Sequence, residues 1–177
     1  MRIGLISDTH GSIPPEVERI FKGVDLILHA GDICYGSLGP LDQLEAIAPV
    51  LAARGDEDHK QTLGDKRVKD KHSLTIDGIN LLLIHDIACE GIQTEYYWFV
   101  DKNQFNNVTK IWSGGIKTIY IFGHTHKPVI DHKNNSLFIN PGSATEPDHE
   151  LIFGNLGTVG LLNIDTNNIQ ISIVKLK

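Results

Sequence analysis

Cysteine, methionine and tryptophan are scarce in this chain: its 177 residues include two Cys, one Met and two Trp. Cys34 and Cys89 lack the Cys-x-x-Cys spacing of a structural zinc site or redox pair, and two cysteines cannot build a secreted disulfide framework. A reducing compartment follows, so the expected location is cytoplasmic. No apolar run approaches the roughly 20 residues of a membrane-spanning helix. The apolar start at Met1 reaches Asp8 and His10 too soon for a signal peptide, so no membrane association is expected. Basic residues are also few, 16 Lys and Arg against 22 Asp and Glu, for a net charge of -6. They form no stripe that could track a nucleic-acid backbone, so no stable nucleic-acid binding is expected.

What is present is enough apolar residue, 41% of the chain, for one domain (1-177) with its own core. Residues 2-6 and 24-28 read as buried strands. Between them Pro14-Pro15-Glu16 opens a helix whose Val17, Ile20 and Phe21 recur at helical spacing, giving a β-α-β unit and a parallel strand pair. A second helix over about 40-48 leads to a strand near 50-54, and the charged stretch 60-71 reads as a surface excursion. Asp77-Gly78 marks a hairpin between Ser73-Ile76 and Ile79-Ile84. Residues 92-113 read as one long or two shorter helices, whose Tyr96, Tyr97, Trp98, Phe99, Phe105 and Trp112 are assigned to core packing. After a strand at 118-122 come hairpins across Asn134-Asn135 and Thr166-Asn168. A parallel first half and a hairpin-rich second half predict two mixed sheets packed face to face with helices outside, an α/β fold of four αββα layers. The exposed hairpin edges allow a homodimer.

Five apolar runs end directly in an Asp or His: Ile3-Ile6 before Asp8 and His10, Asp25-Leu28 before Asp32, Val50-Ala53 before Asp56, Ile79-Ile84 before His85, and Ile119-Phe122 before His124 and His126. Open α/β sheets bind ligands in the crevice beyond the carboxyl ends of their strands, so these side chains are expected to converge there. Carboxylate and imidazole together suit borderline and hard divalent ions. Taken singly, Asp8-x-His10 occurs often by chance, and Asp32 could equally cap a helix or a turn. The joint pattern is what carries the reading.

In their order, Asp8-Thr9-His10, Gly31-Asp32, Gly55-Asp56, His85 and Gly123-His124-Thr125-His126 resemble the DxH, GD, GN, H and GHxH blocks of the calcineurin-like metallophosphoesterases, in particular the small bacterial and archaeal phosphodiesterase branch. The resemblance spans about residues 3-143 and takes in the Asn140-Pro141-Gly142-Ser143 turn. It implies an αββα sandwich and two divalent metal ions, Mn²⁺ first, with Ni²⁺, Fe²⁺ or Zn²⁺ as alternatives. Asp8, His10 and His126 would hold one ion and Asp56, His85 and His124 the other, with Asp32 bridging. It also implies hydrolysis of a small-molecule phosphate ester by a water that loses its proton between the ions.

Two departures from the family pattern matter. Asp56 stands where the family has Asn, which keeps an oxygen donor and adds negative charge. Glu57 stands where many relatives carry a proton-donating His, leaving Glu57, His59 or water as the donor; the expected catalytic pair is Asp56 and His59. Asp86 also follows His85 where Gly is common. An Asp at the Asn position, with the NPGSAT segment, resembles the scaffold subunit of the retromer coat as well, and that implies an alternative, an interaction platform with little or no catalysis. His29 is expected either to orient the ligands or to be a plain core histidine. Asn140 and Ser143 have turn roles, with phosphate contact as the alternative. His72, His132 and His149 are expected to face solvent.

Overall fold

A computed structural model of the chain describes residues 1–33, 39–58, 62, 64–92, 107–146 and 157–177. Its strands are β1 (Arg2–Ile6), β2 (Leu26–His29), β3 (Val50–Ala53), β4 (Val68–Lys69), β5 (Lys71–Ile76), β6 (Ile79–Ile84), β7 (Thr109–Trp112), β8 (Thr118–Ile121), β9 (Val129–Lys133), β10 (Ser136–Asn140), β11 (Thr158–Ile164) and β12 (Asn168–Lys175). The helices are α1 (Glu16–Phe21) and α2 (Gly39–Glu45), with a short 3-10 turn at Ile87–Glu90. One sheet has the order β4-β3-β2-β1-β11-β12-β7 and the other β5-β6-β8-β10-β9. Both are mixed: β1, β2, β3 and β4 run parallel and β11, β12 and β7 are added by successive antiparallel pairings, while β6, β8 and β10 are parallel between antiparallel edges.

Alternation along the strands decides which layer each side chain joins. Ile3, Leu5, Leu28, Leu81, Leu83, Ile119, Ile121, Leu137, Ile139, Leu162 and Ile171 meet between the sheets in the main core. On the opposite face of the first sheet, Ile6, Ile27, Val50, Ala52 and Val159 receive Val17 and Phe21 from α1 and Leu41 and Leu44 from α2. Each such fully buried side chain contributes roughly 1.5–3 kcal/mol before its lost entropy is counted. Gly4 of β1 faces the α1 side, where a Cβ would sit 3.0 Å from the Phe21 ring, so the strand leaves a slot for that ring. The second sheet's outer face carries Leu82, Ile84, Phe122, Val129 and Phe138, with Ile87 of the 3-10 turn packed on it and Tyr120 stacked on Phe138.

The hairpin at Asp77-Gly78 forms as expected, with φ of 49° and 80°, and Asn134 turns the next one at φ 55°. Three expectations need correction. Residues 68–69 are no surface excursion: they pair in parallel with Ala52 and Ala53, burying Val68, and Arg67 ties this edge to α2 through Asp42 and Glu45. Residues 109–112 are a strand rather than a helix, because they pair with β12 as an edge, and Trp112 is 70% exposed rather than core. The other aromatic residues of that group lie outside the described residues. His72 is buried, not solvent-facing; its Nε2 lies 3.0 Å from the Ala52 carbonyl and 3.1 Å from that of Arg67. His132 is exposed as expected, and His149 lies outside the described residues.

Candidate metal centre

Every candidate ligand stands just past the carboxyl end of a strand, Asp8 and His10 after β1, Asp32 after β2, Asp56 after β3, His85 after β6, and His124 and His126 after β8. The loops bearing them are laced together. Asp8 N–H donates to the Gly31 carbonyl at 2.9 Å, His10 N–H to the Asp32 carbonyl at 3.1 Å, and Gly123 N–H to the His85 carbonyl at 3.0 Å. Among the described residues seven non-glycine positions have positive φ. Asp77 and Asn134 make hairpin turns; the other five are Asp8, His10, Asp32, His124 and His126. Left-handed backbone at such residues costs of order 1 kcal/mol each, and strain of this kind collects at functional sites. Two glycines permit the close approach. A Cβ on Gly55 would collide with Asp32 Oδ1, and one on Gly123 with Ser7 Oγ and Asp8 Oδ2.

The side chains converge. Ligand atoms lie within 4.8 Å of one another in four sets: Asp8, His10 and His126; Asp56, His85 and His124; Asp8, Asp32 and His85; and His10, Asp32 and Glu57. Asp32 belongs with His85 on one side and His10 on the other. Asp56 Oδ1 is 2.8 Å from His85 Nε2 and 3.1 Å from His124 Nδ1. His126 Nε2 is 3.5 Å from Asp8 Oδ1 and 3.2 Å from His10 Nε2. The rings are oriented from behind, because His85 Nδ1–H donates to the Ala30 carbonyl at 2.7 Å and His126 Nδ1–H to the Glu146 carbonyl at 2.6 Å, turning both Nε2 atoms into the cluster.

The electrostatics ask for positive charge. Burial pushes the Asp8 carboxyl up to about 7, against the pull of His85. Its Oδ2 is buried with no hydrogen-bond partner among the described residues. A buried carboxylate oxygen left unpaired is costly, and a cation satisfies it. Burial would lower His85, yet its bond to Asp32 and the charges of Asp8 and Asp32 outweigh that and raise it to about 9. For Asp32 burial works upward, but His85 and the Glu57 N–H, 3.0 Å from Oδ1, hold it below the usual carboxylate range. His126 is lowered, chiefly by burial, which favours the neutral ring a metal ligand needs. Three carboxylates, four imidazoles and an orphaned carboxylate oxygen suit a pair of divalent cations.

All seven predicted donors are thus brought into one crevice. His59 lies outside the described residues. His29 is fully buried beneath the loops: Gly31 N–H donates to its Nδ1 at 3.2 Å, and its Nε2–H to Thr9 Oγ1 at 2.9 Å. Asn140 and Ser143 are also fully buried, which removes phosphate contact and leaves them as braces, Ser143 Oγ donating to the Asp8 carbonyl at 2.8 Å. Sequence reasoning missed Asp58, whose two oxygens accept from Ile33 N–H and Gly55 N–H, both at 2.7 Å, joining the loops of Asp32 and Asp56. A carboxylate three residues after a loop glycine is the signal that could have found it. Beside the Asp56, His85 and His124 cluster a cavity of about 650 Å³ opens, walled further by Arg54, Ile84 and Cys89. Among the described residues no helix is long and apolar enough to cross a membrane.

Comparison with known proteins shows the family and the fold. A probable metallophosphoesterase of Methanothermobacter thermautotrophicus is 33% identical over 155 residues, covering 83% of this chain and 79% of that protein. Among solved structures, vacuolar protein sorting 29 of Cryptosporidium parvum superposes with a TM-score of 0.71 at 19% identity, over 99% of this chain and 91% of that one. An archaeal phosphodiesterase gives 0.66 at 21% identity, over 98% and 99%. At those identities the two structures speak for the fold alone. Residues 1–167 match the calcineurin-like phosphoesterase superfamily domain, a span that takes in every donor of the crevice, and the chain belongs to that superfamily.

Proposed function

We propose that the chain is a phosphoesterase working with two divalent cations, on phosphodiesters ahead of monoesters, with Mn²⁺ ahead of Ni²⁺, Fe²⁺ or Zn²⁺. Asp8, His10 and His126 would hold one ion, Asp56, His85 and His124 the other, and Asp32 would serve both. The observation that carries this is the position of Asp32, grouped with His85 and Asp8 on one side and with His10 on the other. When bound, such a pair of ions supplies a water ionised near neutral pH and offsets charge on the phosphoryl oxygens. This chain's own residues do the rest. The carbonyls of Ala30 and Glu146 fix the His85 and His126 rings, and the buried Asp8 carboxyl, whose charge burial disfavours, would be held ionised by a cation. The cavity next to His124 is the room for the group esterified to the phosphate, with Arg54 on its wall.

The test is hydrolysis of a chromogenic bis-aryl phosphate with Mn²⁺, then with chelator. Activity should appear with the metal and vanish with the chelator. Asp32→Asn and His124→Ala should each lower the rate by on the order of 100-fold or more, since even groups behind the ligands cost 10- to 100-fold. Unchanged rates in both variants would refute the assignment. The alternative, an interaction platform that retains its metal sites with little or no catalysis, rests on Asp56, the NPGSAT segment and a likeness of fold, and the same assay separates it, since a platform would bind Mn²⁺ without turnover.

A further inference from the structure

Glu57 is a carboxylate of the crevice that the proposed ligand set leaves without a role, and among the described residues it stands nearer His10 than Glu146, whose Oε2 is 4.0 Å from His10 Nε2. Glu57 Oε2 lies 3.3 Å from His10 Nδ1, while the other nitrogen of that ring, Nε2, faces His126 Nε2 at 3.2 Å. Its backbone N–H donates to Asp32 Oδ1 at 3.0 Å. The His10 side chain is only 4% exposed, while that of Glu57 is 48% exposed, so the carboxylate closes the solvent side of an otherwise enclosed ring. His85 and His126 solve the same problem with main-chain carbonyls at Nδ1. We infer that Glu57 is a positioning residue: it accepts the Nδ1–H of His10, fixing the tautomer whose Nε2 lone pair points at the cation shared with His126, and through its N–H it steadies Asp32 in the same step. A carboxylate behind a metal-bound imidazole orients the ring and raises its basicity, and losing such a partner typically costs 10- to 100-fold in metal affinity. The inference rests on the two-cation reading above. It gives Glu57 a role other than proton donor, one that the variants below separate.

Three proteins separate these roles, the parent, Glu57→Gln and Glu57→Ala, each titrated with Mn²⁺ by calorimetry and assayed on the bis-aryl phosphate across pH. Glu57→Ala should weaken one of two Mn²⁺ equivalents by 10- to 100-fold, with activity restored at saturating Mn²⁺. Glu57→Gln, whose amide oxygen still accepts from His10, should stay within about threefold of the parent in both affinity and kcat. In a His10→Ala background, Glu57→Ala should add nothing further, because its effect runs through that ring. A parent with two equivalents and an equally tight Glu57→Ala overturns the inference alone. So does a Glu57→Gln protein with parental affinity, a collapsed kcat and a lost basic limb in its pH profile, the behaviour of a proton donor. A parent that takes up no Mn²⁺ instead sinks the two-cation reading itself.

Discussion

Asn140 Nδ2 donates to the Gly123 carbonyl at 2.8 Å, tying the end of β10 to the loop that carries His124 and His126. The same amide reaches Thr125 Oγ1 at 3.1 Å, and its Oδ1 accepts from Gly142 N–H at 2.8 Å, so one fully buried side chain holds both flanks of the left-handed His124. Asn140→Ala leaves the buried Gly142 N–H unpaired, at roughly 1–3 kcal/mol, while the Gly123 carbonyl and Thr125 Oγ1 lose one bond each but keep the Thr125 and Lys127 N–H donors. Urea unfolding in chelator should show a loss of about 1–3 kcal/mol, and the surviving folded protein should bind Mn²⁺ more weakly. Asn140→Asp, which keeps the acceptor for Gly142 but not the donor for Gly123, should fall between them.

Gly123 and Gly78 separate steric need from backbone freedom. Around Gly78 a Cβ would find open space, and only its φ of +80° disfavours a side chain, so Gly78→Ala should cost about 1 kcal/mol and leave Mn²⁺ binding alone. At Gly123 the added carbon would strike Ser7 Oγ and Asp8 Oδ2. Neither neighbour can swing away without moving a ligand or the core. Gly123→Ala should therefore lower metal affinity beyond its effect on stability. Thermal melts with and without Mn²⁺ read both quantities, and equal Mn²⁺ shifts for Gly123→Ala and parent would contradict the steric account.

Asp56 replaces an uncharged residue of the family pattern with a charged one of the same shape. Its Oδ1 meets His85 and His124, contacts an Asn oxygen could also make, so Asp56→Asn should leave the geometry intact. The lost charge should weaken Mn²⁺ binding and ease the approach of an anionic phosphate. At an effective dielectric between the protein surface and water, one charge about 4 Å away is worth roughly 1–4 kcal/mol before screening. The side chain of Asp56 is 63% exposed, so the low end applies, a change of about threefold to tenfold in the Mn²⁺ dissociation constant and, in the opposite sense, in KM. Steady-state kinetics at saturating Mn²⁺ and low salt would show it, and a KM that rises in Asp56→Asn would contradict the sign.

The donors were legible in the sequence because each follows an apolar run that forms a strand, and a parallel sheet leaves its chemistry at one end. Which residues of β6 face which layer was not legible, since Leu81, Leu82, Leu83 and Ile84 are all apolar and only the fold sends Leu81 and Leu83 to one core and Leu82 and Ile84 to the other. What escaped was set by partners distant in sequence. Thr109–Trp112 is a strand because β12 offers it an edge, and nothing local announces that pairing amid an aromatic-rich stretch. His72 was misjudged by its polarity alone, although strand periodicity puts it on the same face as Leu74 and Ile76, and the Ala52 and Arg67 carbonyls that satisfy it come from the other sheet and its edge. The braces Asn140, Ser143 and Asp58 look like turn residues because they are turn residues; only the fold reveals which loops they hold.

His29 should make the protein acid-sensitive by a mechanism separate from the carboxylates. Its ring is fully buried, and burial, aided by the nearby charge of His85, lowers it from 6.5 to about 3. The bonds agree with the neutral form: Nδ1 accepts from Gly31 N–H, Nε2–H donates to Thr9 Oγ1, and Thr9 Oγ1 donates to the Ile33 carbonyl at 2.8 Å. A second ring proton would face the Gly31 N–H, donor against donor. Because the folded value is the depressed one, this contribution to stability is fully present above about pH 6.5, where the unfolded chain is also neutral. It is lost as pH falls toward 3, since the unfolded chain binds the proton first. At pH 5 the loss from this ring is about 2 kcal/mol. His29→Asn keeps an acceptor for Gly31 but has nothing to protonate, so although less stable at pH 7.5 it should lose about 2 kcal/mol less than the parent between pH 7.5 and 5. Urea titrations of both proteins in chelator isolate that difference, since groups common to both cancel, and parallel pH curves would show that His29 is not the ring responsible.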